Sequence, residues 1–384
     1  MTAPLIILGT GLAGYGVARE WRRLDTTTPL VLVSQDAAGY YSKPMLSNAL
    51  ASKKTAATLV MKDAAKMAAE LNADVIAGHS ATHIDTAART VTLDDGRVLA
   101  YRDLVLAQGA DPIRLPLGGD AADAVLSVNN IDDYARFADQ LEGAQSVAIL
   151  GGGLIGCEFA NDLLHRGVSP TVLDLADRAL ARLLPAEASA RLQAKLEAGG
   201  VRFEWGVSAT RVDRSESGAL QVTLSDGRSV VADRVLSAIG LRPRTALAQA
   251  AGIGINRGVV TSRTLATTAD HVYALGDVAE VQGHWLPYVM PLMAQSRAVA
   301  ATLAGNTTEV AYPAMPVTVK TPANPTVVCP PPADVAGQWA VESDDAGLVG
   351  RYTDAAGALR GFVLMGAATS QRQALATLVP ALLS

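Results

Sequence analysis

Cysteine is nearly absent. The 384-residue chain has two, Cys157 and Cys329, far apart in sequence. They fit neither a disulfide framework nor a zinc site, so reduced thiols in a cytoplasmic protein are expected, with no metal. Aromatic residues are scarce at 4%, and charged residues make up only 18%. The net charge is −5 and no basic block occurs, which argues against nucleic-acid binding. Long apolar runs are missing too. Val281 to Ser296 is free of charge, but two prolines, His284 and Gln282 interrupt it. It falls short of the roughly 20 apolar residues of a membrane span. The opening run MTAPLIILGTG has no basic residue before its apolar part, so a buried strand is expected there rather than a signal peptide.

Apolar and small residues are plentiful: 49% of the chain is hydrophobic and 34 residues are glycine. A chain of this length and composition can bury a large core in two or three domains.

One large imperfect repeat organises the chain. Pro4 to Gly14 reads PLIILGTGLAG and Ser146 to Gly156 reads SVAILGGGLIG. Each is an apolar strand, a glycine-rich turn and a helix pattern. A second strand follows each helix, Leu30–Val33 and Pro170–Leu173. Two β–turn–α–β blocks imply parallel sheets. Each block is followed by a hairpin with an Asp-Gly turn, Asp95-Gly96 or Asp226-Gly227, and a further strand, Leu104–Gly109 or Val235–Gly240.

The end of the chain differs. Prolines cluster at 313, 316, 322, 325, 330, 331 and 332, which suits a linker or edge strands. Gly361–Met365 reads as a strand. Ser370–Leu383 reads as a closing helix with Leu375, Leu378, Val379 and Leu382 on one side.

Gly9-x-Gly11-x-x-Gly14 follows a strand and opens a helix. Gly9 permits the tight turn, Gly11 leaves room for a pyrophosphate, Gly14 lets helix and strand pack closely, and the helix N-terminus attracts phosphate. A glycine-rich turn without ligand is the plain alternative. At the end of the second strand, Asp36 is the candidate for ribose hydroxyls, with Ser34 and Gln35 as alternatives. Gly151-x-Gly153-x-x-Gly156 repeats the loop, and Asp174 closes its second strand. A carboxylate there accepts from a free ribose 2′-OH and repels a 2′-phosphate, which favours NADH over NADPH. Arg178, four residues on, weakens that preference slightly.

The order of these motifs resembles the FAD-dependent pyridine nucleotide–disulfide oxidoreductase superfamily up to about residue 320. A third signature, Thr268-Ala269-Asp270-His271-Val272-Tyr273-Ala274-Leu275-Gly276-Asp277, supports it. The resemblance implies an α/β fold of two nested dinucleotide-binding domains, Rossmann-like and of glutathione-reductase type, plus a small C-terminal α+β domain. FAD would occupy residues 1–115 and 246–320, NADH residues 116–245, and residues 321–384 would form an interface domain over the flavin.

It also implies site residues. FAD would contact the first loop (Gly9, Thr10, Gly11, Leu12, Ala13, Gly14), the Ser34–Asp36 corner, and Ala81, Ala107 and Gly109. Gly276 and Asp277 would meet its ribitol or phosphate region, and Val289 and Met290 its pyrimidine edge. NADH would contact Gly151, Gly153, Leu154, Ile155, Gly156, Asp174 and Gly240. Glu158 would stand beside nicotinamide and flavin, although an acid in a helix's first turn is favourable for dipole reasons alone. Lys320, in VTVKT, would lie near the flavin, or is an edge-strand lysine that discourages aggregation.

Lys43-Pro44-Met45-Leu46-Ser47 resembles an element of the branch that reduces ferredoxins, rubredoxins and flavorubredoxins, and its Lys-Pro form looks closest to the rubredoxin reductases. Lys43 and Pro44 would border FAD, with Lys43 paired to Glu158. Disulfide reductases carry two cysteines here. Residues 37 to 60 have none, and Cys157 reads as core packing. The implied reaction is hydride transfer from NADH to FAD, then single electrons to rubredoxin, feeding an alkane hydroxylase or an oxygen-reducing pathway. Ferredoxin or flavorubredoxin reduction, and a redox-sensing interaction protein, are the other readings. An acidic partner would need a locally basic face, for which Lys53, Lys54, Lys62 and Lys66, and the basic residues between Arg178 and Lys195, are candidates, although an ordinary solvated helix face is the plainer reading of the lysines.

Overall fold

A computed structural model describes residues 3–384. The two sequence blocks fold into two parallel sheets of matching strand order. In the first, the order is Val272–Ala274, Asp103–Leu106, Leu5–Leu8, Leu30–Ser34 and Asp74–Ala77. In the second it is Arg234–Ser237, Ser146–Leu150, Ser169–Asp174 and Arg202–Trp205. Leu5–Leu8 is fully buried, as parallel strands covered on both faces must be. Its register pairs Leu5 with Leu30 and with Asp103.

Helix α1 (Leu12–Arg22) follows the first glycine loop and α2 (Leu154–Leu164) follows the second. Helix α3 (Ala186–Ala198) covers the second sheet, and α4 (Val289–Leu303) returns the chain to the first. Gly16 lets α1 and α4 close up, since a Cβ there would stand 2.9 Å from Ser296 Oγ. Both Asp-Gly turns lie in three-stranded antiparallel meanders, with Gly96 and Gly227 at positive φ.

The C-terminal sheet is antiparallel, in the order Val317–Val319, Thr326–Cys329, Leu359–Gly366, Gly347–Asp354 and Gly337–Ser343. It begins within the proline-rich stretch and before residue 321. The expected helix over Ser370–Leu383 is not formed. A 3-10 turn (Ala367–Gln371) leads into one short helix, Arg372–Ala376. Pro380 has no N–H to continue it, and the last residues run extended so that Leu383 pairs with Tyr312. Among the described residues no helix is long and apolar enough to cross a membrane.

Candidate functional site

Both glycine loops open into one cleft of about 1600 Å³. In the first loop a Cβ on Gly9 (φ +110) would sit 2.3 Å from the Ala107 carbonyl oxygen, and one on Gly14 would sit 1.8 Å from that of Gly9. Gly11 is different. Its φ is −70, and nothing lies within 4 Å of its missing Cβ. The second loop repeats this: Gly151 against Ala238 at 2.6 Å, Gly156 against Gly151 at 1.8 Å, and Gly153 (φ −76) facing open space. Protein packing therefore demands the outer glycines. The middle ones are bare toward the cleft, where a dinucleotide pyrophosphate would approach.

The helix termini agree. The N-caps of α1, α2 and α4 are Gly11, Gly153 and Tyr288, and none makes a side-chain capping bond. All three line the cleft, so their first N–H groups are available to an anionic ligand group. Helices starting at Ala56 and Ala64 are capped by Thr55 and Asp63. Gln108 Oε1, also in the cleft, is buried without a hydrogen-bond donor. Both cradles fit a dinucleotide cofactor, FAD or NADH.

The polar corners that close the two second strands are both organised. Thr10 Oγ1 donates to Ser34 Oγ at 2.6 Å, and Ser34 Oγ donates to Asp36 Oδ1 at 2.7 Å. Ala38 N–H also donates to Asp36 Oδ1. Ser34 is thus a relay that aims Asp36, whose second oxygen has no hydrogen-bond partner among the described residues. In the second half Asp174 accepts from Gly152 N at 2.5 Å and Ala176 N at 2.8 Å. Arg178 turns to Asp177 at 2.7 Å. Trp205 lies against Gly152, where a Cβ would come within 2.6 Å of its ring.

At the centre, the expected pairing of Lys43 with Glu158 is replaced. Lys43 Nζ lies 3.6 Å from Asp277 Oδ2. Burial lowers the Lys43 pKa, opposed by the Asp277 charge. Glu158 is wholly buried and takes three donors: Ser47 Oγ at 2.6 Å, Lys320 N at 2.9 Å, and the Lys320 ammonium. The reason is geometric. Lys320 follows a strand of the C-terminal sheet and presents both its N–H and its amine to α2, whereas Lys43 opens a 3-10 turn (Lys43–Asn48) beside Asp277.

Most expected residues border the cleft: Thr10, Leu12, Ala13, Gln35, Pro44, Ala81, Ala107, Gly109, Leu154, Ile155, Gly240, Val289 and Met290 among them. Gly14, Gly156 and Gly276 stand behind its wall. A Cβ on Gly276 would meet Ala13 Cβ at 2.8 Å, and its N–H donates to buried Gln295. Cys157 is buried under the second loop, its thiol pushed up to about 12 by burial. Of the four candidate docking lysines, Lys62 pairs with Glu70 and Lys66 lies 3.9 Å from Asp63, which leaves Lys53 and Lys54 exposed without ion pairs among the described residues. Sequence reasoning missed Ser47 as a partner of Glu158, and missed Asn161 and Asp162. The signal was present: polar residues at spacings of three and four from Glu158 on an otherwise apolar helix.

Comparison with known proteins matches two successive stretches of the chain. Residues 3–302 match the family model described as pyridine nucleotide-disulphide oxidoreductase. Residues 309–379 match the one described as rubredoxin binding C-terminal domain. The chain is 47% identical over 380 residues to the rubredoxin-NAD(+) reductase of Alcanivorax borkumensis, covering 99% of each. It is 45% identical over 387 residues to that of Acinetobacter baylyi, covering 99% of this chain and 98% of the other. A ferredoxin reductase from Rhodopseudomonas palustris has a similar structure (TM-score 0.89, 25% identity, covering 99% of this chain and 96% of the other).

Proposed function

The chain belongs to the pyridine nucleotide-disulphide oxidoreductase family, and from that premise we propose that it is an NADH-dependent reductase of rubredoxin. The observation that carries this reading is one cleft shared by two dinucleotide cradles and the C-terminal sheet, with no cysteine among its lining residues. Bound FAD would supply the redox chemistry, hydride acceptance from NADH and single-electron donation to an iron centre. The protein supplies position and charge. Gly9 to Gly14 and the Thr10–Ser34–Asp36 relay hold FAD, and Gly151 to Gly156 with Asp174 hold NADH. Lys43 and the open N-terminus of α4 bring positive potential to the cleft, where reduction adds negative charge. Glu158 fixes Lys320 at the border with the C-terminal sheet.

We divide the chain accordingly. Residues 1–115 and 246–320 serve FAD, 116–245 serve NADH, and the remainder, joined by Val317–Val319, serves rubredoxin. A cytoplasmic location suits two buried, reduced thiols.

Stopped-flow mixing tests the function. Protein reduced with NADH is expected to reoxidise fast with rubredoxin and slowly with a ferredoxin. The reverse order rejects the reading.

Coenzyme choice is a second expected outcome. Asp174→Ala combined with Leu175→Arg removes the carboxylate and places a cation at a position that is 71% exposed in the cleft wall. The kcat/KM ratio of NADPH to NADH should rise by roughly 100-fold, as expected for exchanging repulsion for a charge-assisted hydrogen bond. Asp174→Ala alone should weaken both coenzymes, because two loop N–H groups lose their acceptor. Unchanged preference in the double variant places the ribose elsewhere.

A further inference from the structure

Helix α2 carries three buried polar side chains within two turns: Glu158, Asn161 and Asp162, at 0, 3 and 2% exposure. Glu158 takes Ser47 and Lys320, as described above. Asn161 Oδ1 accepts from Ala323 N at 3.2 Å, on the C-terminal side. Asp162 accepts from two consecutive backbone groups, Leu50 N at 2.9 Å and Ala51 N at 2.8 Å, in the turns that follow Lys43–Asn48. These contacts join stretches of chain more than 100 residues apart.

We propose that Asp162 is a positioning residue for hydride transfer, registering the Lys43–Ala51 segment along α2 so that Ser47 meets Glu158. The inference rests on the proposed function, in which this segment and Glu158 border the flavin. Glu158 and Asp162 are four residues apart, about 6 Å along one helix face. Each grips the same segment, one through Ser47 Oγ and the other through two N–H groups. A buried carboxylate is costly, and burial raises the pKa of Asp162. An apolar side chain would fill the space without that cost. The carboxylate adds two charge-assisted hydrogen bonds to adjacent N–H groups, a geometry that admits one height of the segment and no other. Tyr134, on the helix Ile131–Gln140, reinforces it by donating to Lys54 O at 2.9 Å. Slippage of the segment would carry Lys43, Pro44 and Ser47 with it.

The test uses the FAD-loaded full chain. Asp162→Asn keeps size and one acceptor oxygen but turns an amide NH2 toward the second N–H. The limiting rate of flavin reduction by NADH should fall roughly 10- to 100-fold, the scale set by misplacing reacting groups by about 1 Å. The dissociation constants of FAD and NADH should change less than about two-fold, and the fall should be non-additive with that of Ser47→Ala. Asp162→Glu keeps the charge and both acceptors but displaces the segment by a methylene. It should slow the same step, and it provides the readout if the Asn variant does not fold. A lowered thermal midpoint with an unchanged limiting rate makes Asp162 merely structural and overturns the inference. If Ser47→Ala and Glu158→Gln also leave that rate untouched, the placement of the site fails instead. If those two slow it and neither Asp162 variant does, only the registering role fails.

Discussion

Gly153→Val should give a yellow, folded protein that NADH cannot reduce. Gly153 has φ −76, so a side chain is allowed by the backbone, and among the described residues no atom beyond its chain neighbours lies within 4 Å of its missing Cβ. Folding therefore has no use for this glycine. An isopropyl group there projects into the cleft where the NADH pyrophosphate meets the N-terminus of α2. A fall of about a thousandfold in kcat/KM for NADH is expected, on the order of 4 kcal/mol. Dithionite should still reduce the flavin, and rubredoxin should still reoxidise it, because those steps do not use the second loop. Gly11→Val should do the converse and yield folded protein with no flavin. Gly156→Ala, by contrast, meets the Gly151 carbonyl and should not fold normally. Visible absorbance and anaerobic NADH titration separate the three. NADH reduction of Gly153→Val at the ordinary rate would dismiss the second loop as the coenzyme site.

The duplicate architecture was legible because its signals are local. An apolar strand, three glycines at fixed spacing and a helix state their own geometry, and the structure shows it twice, with a Cβ barred from the outer glycines of both loops by a carbonyl oxygen. The cysteine-free stretch around Lys43 was equally plain. What sequence could not supply was the pairing of charges across distant segments. Lys43 and Glu158 were natural partners on chemical grounds, but Lys43 opens a 3-10 turn whose direction takes it to Asp277. Lys320 reaches Glu158 only because the C-terminal sheet begins inside the proline-rich stretch, ahead of the expected boundary. The absent closing helix has a similar cause. Leucine spacing argued for it, but Pro380 and the pairing of Leu383 with Tyr312 outweigh a marginal helix of this length. Local pattern specified the repeated elements, and tertiary contact chose the partners and overrode the closing helix.

Lys320→Met should be the most destabilising single change at the centre of the molecule. Glu158 is fully buried and, among the described residues, Lys320 is its one cationic partner, with a side chain 24% exposed. Removing the ammonium leaves a carboxylate out of water with two remaining donors, Ser47 and the backbone N–H of residue 320. Breaking a buried pair from one side costs about 3–5 kcal/mol, and the retained donors place this case toward the lower figure. Glu158→Gln is gentler. The Lys320 amine lines the cleft and reaches water there, so the main loss is one good acceptor, about 1–3 kcal/mol. Combining Glu158→Gln with Lys320→Met removes both charges and should be more stable than Lys320→Met alone. Thermal midpoints of FAD-loaded protein give the order: wild type highest, Lys320→Met lowest, the double variant between them. Equal midpoints for wild type and Lys320→Met would mean that the pair does not form. The functional losses should not follow that order. Both single variants remove the charge set between hydride arrival and the rubredoxin side, so both should slow flavin reduction. The double variant, although more stable than Lys320→Met, should stay slow, because a neutral pair restores packing without restoring the field.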